Sequence, residues 1–96
     1  MRISFHPLAE RELNDASQYF EVESHGLGAV FLNEVERACA LITEYPDAAP
    51  IVRGSIRRRL IRRFPYALLY TMRADTVRVV AVMNLHRHPT YWVGRQ

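Results

Sequence analysis

The stretch that decides the fold reads Arg57-Arg58-Arg59-Leu60-Ile61-Arg62-Arg63-Phe64-Pro65-Tyr66-Ala67-Leu68-Leu69-Tyr70-Thr71-Met72. Its second part, residues 66–72, is an almost continuous apolar run, which is typical of a central strand covered on both faces. Its first part belongs to a predicted strand of residues 56–64 that is loaded with arginine. Residues 73–76 read as a hairpin connection, and the β-branched residues 77–83 predict the partner strand. The second half of the chain is therefore expected to be a sheet.

Before this sheet, apolar residues recur at helical spacing in two segments. Residues 7–24 predict a first helix, with a proline at its first position and Gly26 just past its end. Residues 27–45 predict a second helix, which Pro46 closes. Because only a few residues join the two helices, we expect an antiparallel helical hairpin. Residues 2–5 alternate in polarity and predict a strand ahead of both helices.

The predicted fold class is α+β, with the element order β-α-α-β-β-β. A chain of 96 residues has room for a single domain, residues 1–96. Each helix buries one stripe, so the hairpin is expected on one face of a small, mostly antiparallel sheet. The outer, solvated faces of the helices are expected to carry the acidic side chains Glu10, Asp15, Glu21, Glu34, Glu36 and Glu44.

The charges are divided unequally between the two halves of the chain. Residues 1–50 contain three arginines and nine acids, a net charge of −6. Residues 51–96 contain ten arginines and one acid, a net charge of +9, and the chain has no lysine. A basic half of this kind predicts an electropositive surface for a phosphate-bearing or acidic partner.

Several classes of site and location are not expected. Cys39 is the only cysteine, so no internal disulfide can form, which fits a reducing cytoplasm. The N-terminal residues have no long apolar stretch, so neither a signal peptide nor contact with a membrane is expected. His86 and His88 are two residues apart and would need further ligands to bind a metal. We expect no metal site and no cofactor.

The order of these motifs resembles the RelE/ParE superfamily, the toxins of bacterial type II toxin–antitoxin systems. The likeness covers nearly the whole chain and is strongest where the arginine-rich strand leads into Phe64-Pro65-Tyr66 and where the chain closes. The closing motif reads His86-Arg87-His88-Pro89-Thr90-Tyr91-Trp92. The resemblance implies the fold described above, growth arrest as the activity, and a cognate antitoxin encoded beside the chain.

The superfamily contains two mechanisms. RelE-like members cut messenger RNA on the ribosome, and ParE-like members poison DNA gyrase. In RelE-like enzymes an arginine usually precedes the Leu-Val-Tyr-like sequence of the central strand, and Ala67 stands at that place here. The resemblance therefore favours the ParE-like branch, with a ParD-like antitoxin and gyrase as the target.

Two alternatives stay open from the sequence. One is a ribosome-dependent endoribonuclease, for which Arg63, His86, Arg87 and Tyr91 are the candidate catalytic residues. The other is a basic nucleic-acid-binding module without toxicity, or a degenerate toxin. In the ParE-like interpretation no catalytic residue is expected.

The candidate residues for binding the target or the antitoxin are mostly arginines. On a strand, residues 57, 59 and 63 would face one way and residues 58 and 62 the other. The same arginines would also protect an edge strand from aggregation, and Trp92 would alternatively fold back over the core. The predicted set is Arg57, Arg58, Arg59, Arg62, Arg63, Arg87, Tyr91 and Trp92. The groove beside the helical hairpin and the basic face of the sheet are the predicted docking surfaces for the antitoxin.

Overall fold

The computed structural model of the protein describes residues 1–96 and has seven elements. Their order is β-α-α-β-β-β-β, which confirms the α+β class and adds one strand to the prediction. The elements are β1 (Arg2–Phe5), α1 (Pro7–Glu23), α2 (Leu27–Glu44), β2 (Ile51–Arg53), β3 (Ile56–Leu60), β4 (Tyr66–Arg73) and β5 (Thr76–Asn84). The added strand, β2, is only three residues long and exposed, so its sequence carries too little alternation to be detected.

All five strands form one sheet in the order β1-β5-β4-β3-β2. β1 pairs parallel with β5, and every other pair is antiparallel. The apolar run of residues 66–72 is therefore the central strand, as predicted. The hairpin turn between β4 and β5 contains Ala74 in a left-handed conformation, with φ of 54°.

The central strand is covered on both faces, as predicted. The helical hairpin packs on one face, where Phe31 and Ile42 of α2 meet Leu68 and Tyr70 of β4. On the opposite face, which we call the open face, the C-terminal tail (residues 85–96) packs against the sheet through Trp92. A smaller core forms there from Leu69, Val80, Ala81, Met83 and Trp92.

A β-bulge in β5 lets this strand contribute side chains to the cores on both faces of the sheet. The register with β4 shifts between Leu69 and Tyr70, which pair with Ala81 and Val79, and Val80 lies between them without a partner on β4. An extra residue interrupts the strict alternation of side chains. Val80 and Ala81 therefore both face the open side, while Val79 contributes to the helical core.

The two helices approach each other closely at Gly28. A Cβ atom at this position would lie 2.6 Å from the backbone oxygen of Ser17 in α1, so only glycine fits. Gly26 occupies the turn with φ of 89°, a conformation that favours glycine. One expectation for the helices is wrong: Glu34 is not on the solvated face but 9% exposed, because it faces the edge of the sheet.

The arginine-rich strand is shorter than predicted. β3 ends at Leu60, and residues 61–65 turn back into β4, where the Ile61 N–H donates to the Tyr66 carbonyl at 2.9 Å. Arg63 has φ of 72°, which a strand does not allow. The predicted alternation therefore holds for residues 57–59 but is wrong for Arg62 and Arg63, which are exposed residues of this turn.

Glu21 joins the two helices by capping the second one. Its carboxylate accepts hydrogen bonds from the N–H of Gly26, at 2.9 and 3.1 Å, and from the N–H of Gly28 at 3.1 Å. His25 lies 3.2 Å from the same carboxylate. The hydrogen bond from Gly26, and then that from Gly28, lowers the pKa of Glu21 below its ordinary value of 4.5.

Replacing Glu21 with glutamine is expected to make the protein less stable at neutral pH and less sensitive to acid. The lowered pKa means that the carboxylate stabilises the fold above about pH 4.5, and that this stabilisation is lost as the pH falls through the folded pKa. Thermal melts of both proteins between pH 7 and pH 3 measure the effect. The stability difference should shrink toward pH 3, and a constant difference would contradict the role of the ionised group.

Candidate functional site

The arginines of β3 are divided between the two faces of the sheet. Arg57 pairs with Tyr70 and Arg59 with Leu68, so both lie on the helical side, while Arg58 pairs with Leu69 on the open face. This division follows from the alternation of strand side chains. The three adjacent arginines therefore do not form one continuous patch.

Arg57 is engaged inside the chain. Its guanidinium donates to the carbonyls of Asp47 and Ala49 at 3.0 and 2.7 Å and lies 3.6 Å from the Asp47 carboxylate. The loop between α2 and β2 is also held by the hydroxyl of Tyr70, which donates to the Pro46 carbonyl at 2.7 Å. These contacts show that Arg57 stabilises the loop between α2 and β2, in addition to any role in binding.

A groove between α2 and β3 gathers several of the remaining arginines. Arg37, Arg59 and Arg62 line it with the single carboxylate of Glu34. Leu41 and Leu60, which are 39% and 58% exposed, add an apolar strip. We call this feature the α2–β3 groove.

Two buried polar atoms of the α2–β3 groove have no hydrogen-bond partner. They are Oε1 of Glu34 and Nε of Arg59. Arg37 Nε lies 3.7 Å from Glu34 Oε1, which is an ion pair but too long for a hydrogen bond. Buried polar groups are normally paired, so two such atoms beside each other are an uncommon feature of this groove.

The C-terminal tail is attached by an ion pair that the sequence did not predict. Arg95 contacts Glu12 of α1 through two hydrogen bonds, of 2.9 and 3.1 Å, and donates to the Val80 carbonyl at 3.0 Å. The Glu12 carboxylate also accepts from the Val82 N–H at 3.0 Å. Because β1 pairs with β5 only as far as Val79, this ion pair satisfies the backbone edge that β1 leaves uncovered.

Tyr91 lies between two arginines of the tail. The guanidinium carbon of Arg87 is 4.0 Å from the ring centroid and that of Arg95 is 5.1 Å from it. Burial raises the pKa of Tyr91 well above its ordinary value of 10.0, and the nearby Glu12 carboxylate raises it further. The phenol therefore remains protonated at neutral pH.

Trp92 is 4% exposed and forms part of the open-face core. Of the two interpretations of this residue, the structure agrees with the one in which it covers the core. The ring already packs against the sheet, so it is not an exposed anchor, and a role of Trp92 in binding stays a prediction.

Three of the four candidate nuclease residues lie in one region. Arg87 contacts the Tyr91 ring, and Arg87 and His86 line two adjoining cavities that share Tyr19, Tyr66 and Asn84. Arg63 lies in the turn before β4 and lines neither cavity.

Cys39 and His88 make contacts within the chain that stabilise the fold. Cys39 packs against the helical core, and burial raises the pKa of its thiol to about 11. His88 exchanges a hydrogen bond of 2.9 Å with the Thr90 hydroxyl. No three His, Cys, Asp or Glu side chains lie together as a metal would require. Neither helix combines the length and the apolar composition of a membrane span.

Comparisons with known proteins give one family and one similar fold. A family model for the ParE toxin of type II toxin-antitoxin system, parDE, matches residues 3–89. A solved structure of the chromosomal ParDE TA system from P. aeruginosa is similar in fold, with a TM-score of 0.74 at 10% sequence identity, over 88% of this chain and 95% of that chain. No curated protein matches the sequence. Because the family model spans nearly all of β1 to β5 and both helices, this chain belongs to the ParE toxin family of type II toxin–antitoxin systems.

Proposed function

We propose that the chain arrests bacterial growth from the cytoplasm by poisoning DNA gyrase, and that a ParD-like antitoxin neutralises it. The observation that carries the choice of target is Ala67. This residue is fully buried in the central strand, paired with Leu60 on one side and Met83 on the other. It stands where RelE-like nucleases place a cation, and β4 contains no arginine before its last residue, Arg73.

The chemistry of RNA cleavage supports the same choice. Attack by a 2′-hydroxyl needs a base, a cation on the phosphate and an acid for the leaving oxygen, all within reach of one bond. Arg87 and Tyr91 contact each other, and neither His86 nor Arg63 is hydrogen-bonded to either of them. The raised pKa of Tyr91 also makes its phenol a poor proton donor and acceptor near pH 7.

The α2–β3 groove is the surface that best suits the antitoxin. Three arginines and two exposed leucines fit an amphipathic acidic segment, whose apolar residues would cover Leu41 and Leu60. Its carboxylates would pair with Arg59 and Arg62. Such a segment would be disordered when free and would fold on binding.

Purified toxin is expected to inhibit supercoiling by DNA gyrase and to leave ribosome-bound messenger RNA intact. The measurement compares plasmid supercoiling and message cleavage over the same range of toxin concentrations. Addition of the antitoxin encoded beside the chain should restore supercoiling. Efficient ribosome-dependent cleavage with unaffected gyrase would refute the proposed target, and growth without arrest on induction would refute toxicity.

A further inference from the structure

One cavity of the structure is lined by arginines without any carboxylate. It lies on the open face, between the β2–β3 edge and the C-terminal tail, with a volume of about 260 Å³, and Arg53, Arg58 and Trp92 line it. We call it the open-face pocket. The other three cavities that contain arginine also contain carboxylates, namely Glu12 and Asp15, Glu34, or Asp47.

The donors of the open-face pocket are unused. Neither Arg53 nor Arg58 takes part in an ion pair, since the pairs of the chain involve other arginines, and neither side chain donates a hydrogen bond to the chain. Trp92 is 4% exposed, and its indole N–H has no acceptor. This N–H is itself buried, so the donors that a ligand from outside the chain can reach are the guanidinium groups of Arg53 and Arg58, which are exposed.

We propose that the open-face pocket binds a phosphate group of a nucleic-acid strand. Its charged groups are donors only, and a guanidinium fork matches the oxygens of a phosphate. The floor contains Leu69 and Met83, which suit the apolar side of a sugar. The volume is below the roughly 300 Å³ at which pockets accept drug-sized ligands, which leaves room for one phosphate and its sugar.

Binding of a phosphate in the open-face pocket does not depend on gyrase being the target. The chain would contact nucleic acid directly through the open face, on the side of the sheet opposite to α2 and the α2–β3 groove. Arg53 comes from β2, the strand that the sequence did not reveal, and it meets Arg58 only because β2 folds back on β3. A tail that packs through Trp92 closes the other side of the pocket.

Trp92 provides a direct test, because it is the only tryptophan of the chain. Purified toxin is titrated with a single-stranded DNA oligonucleotide, with RNA of the same sequence and with inorganic phosphate, while tryptophan emission is followed. We expect a saturable change with an oligonucleotide, weakened by salt and by competing phosphate. The relative affinities of DNA and RNA identify the strand that fits better.

Matched variants separate the pocket from general charge. Arg53→Gln with Arg58→Gln should weaken oligonucleotide binding by about tenfold or more, since two phosphate contacts are lost. Arg2→Gln with Arg11→Gln removes the same charge from exposed positions elsewhere and should weaken binding by less than about threefold. Circular dichroism melts of both double variants establish that they are folded.

Three results would overturn the proposal. The first is an emission of Trp92 that no oligonucleotide changes. The second is equal weakening in the two double variants, which would mean attraction by net charge alone. The third is inorganic phosphate binding as tightly as the oligonucleotides, which would make the ligand a free anion. None of these measurements contains gyrase, so the outcome does not depend on the supercoiling assay.

Discussion

Replacing Arg95 with alanine is expected to lower the free energy of unfolding by about 3 kcal/mol, the loss typical of a buried ion pair that keeps one of its charges. The side chains of Arg95 and Glu12 are only 13% and 18% exposed. Without Arg95, the Glu12 carboxylate stays in a mostly buried place without a cation, although it keeps the hydrogen bond from the Val82 N–H. The Val80 carbonyl also loses its donor.

The loss should come mainly from the uncompensated carboxylate rather than from the missing contact. The double variant Glu12→Gln with Arg95→Ala is therefore expected to be more stable than Arg95→Ala alone, because a neutral amide is cheaper to bury and still accepts from Val82. Chemical denaturation of the two variants and the parent measures the difference. A double variant that is less stable than the single one would contradict this explanation.

Arg87→Ala is the matched control for the tail. Arg87 also lies over the Tyr91 ring, but it is exposed and makes no ion pair, so its loss should cost at most about 1 kcal/mol. Equal losses for Arg87→Ala and Arg95→Ala would mean that contact with the ring, and not the pairing with Glu12, holds the tail.

The parts of the fold that the sequence predicted are those with a repeated pattern. Both helices begin where predicted and end within one residue of it, because their apolar stripes, Pro7 and Gly26 act locally. The central strand was equally clear, since the run in residues 66–72 has no polar interruption before Thr71. In these segments the local sequence and the tertiary structure favour the same conformation.

The parts that were missed depend on contacts between distant residues. Arg62 and Arg63 continue the arginine pattern of β3, so nothing in the composition marks the turn that removes them from the strand. Glu12 and Arg95 are 83 residues apart, and their pairing follows from the early end of β1 beside β5. From the sequence alone, Trp92 could be either an exposed anchor or a core residue. The choice depends on the apolar residues that β4 and β5 present on the open face.

Reversing the charge of Arg59 and Arg62 is expected to weaken binding of the antitoxin by at least about 100-fold, since removing charged contacts at a desolvated interface commonly costs several kcal/mol. Both side chains line the α2–β3 groove, and Arg59 has a buried Nε without a partner. Arg57 is left unchanged, because it holds the loop at Asp47 and its loss would disturb the fold. Calorimetric titration of the variant Arg59→Glu with Arg62→Glu measures the change.

The control for this variant carries the same change in charge at positions remote from the groove. Arg11 of α1 and Arg73 at the end of β4 are both exposed and make no ion pair. Arg11→Glu with Arg73→Glu should therefore weaken the antitoxin by less than about tenfold, the part due to long-range attraction, which also decreases with salt. If the two double variants lose affinity equally, the antitoxin is attracted by the basic half as a whole and does not dock in the groove. If only the groove variant loses affinity, the antitoxin docks in the groove.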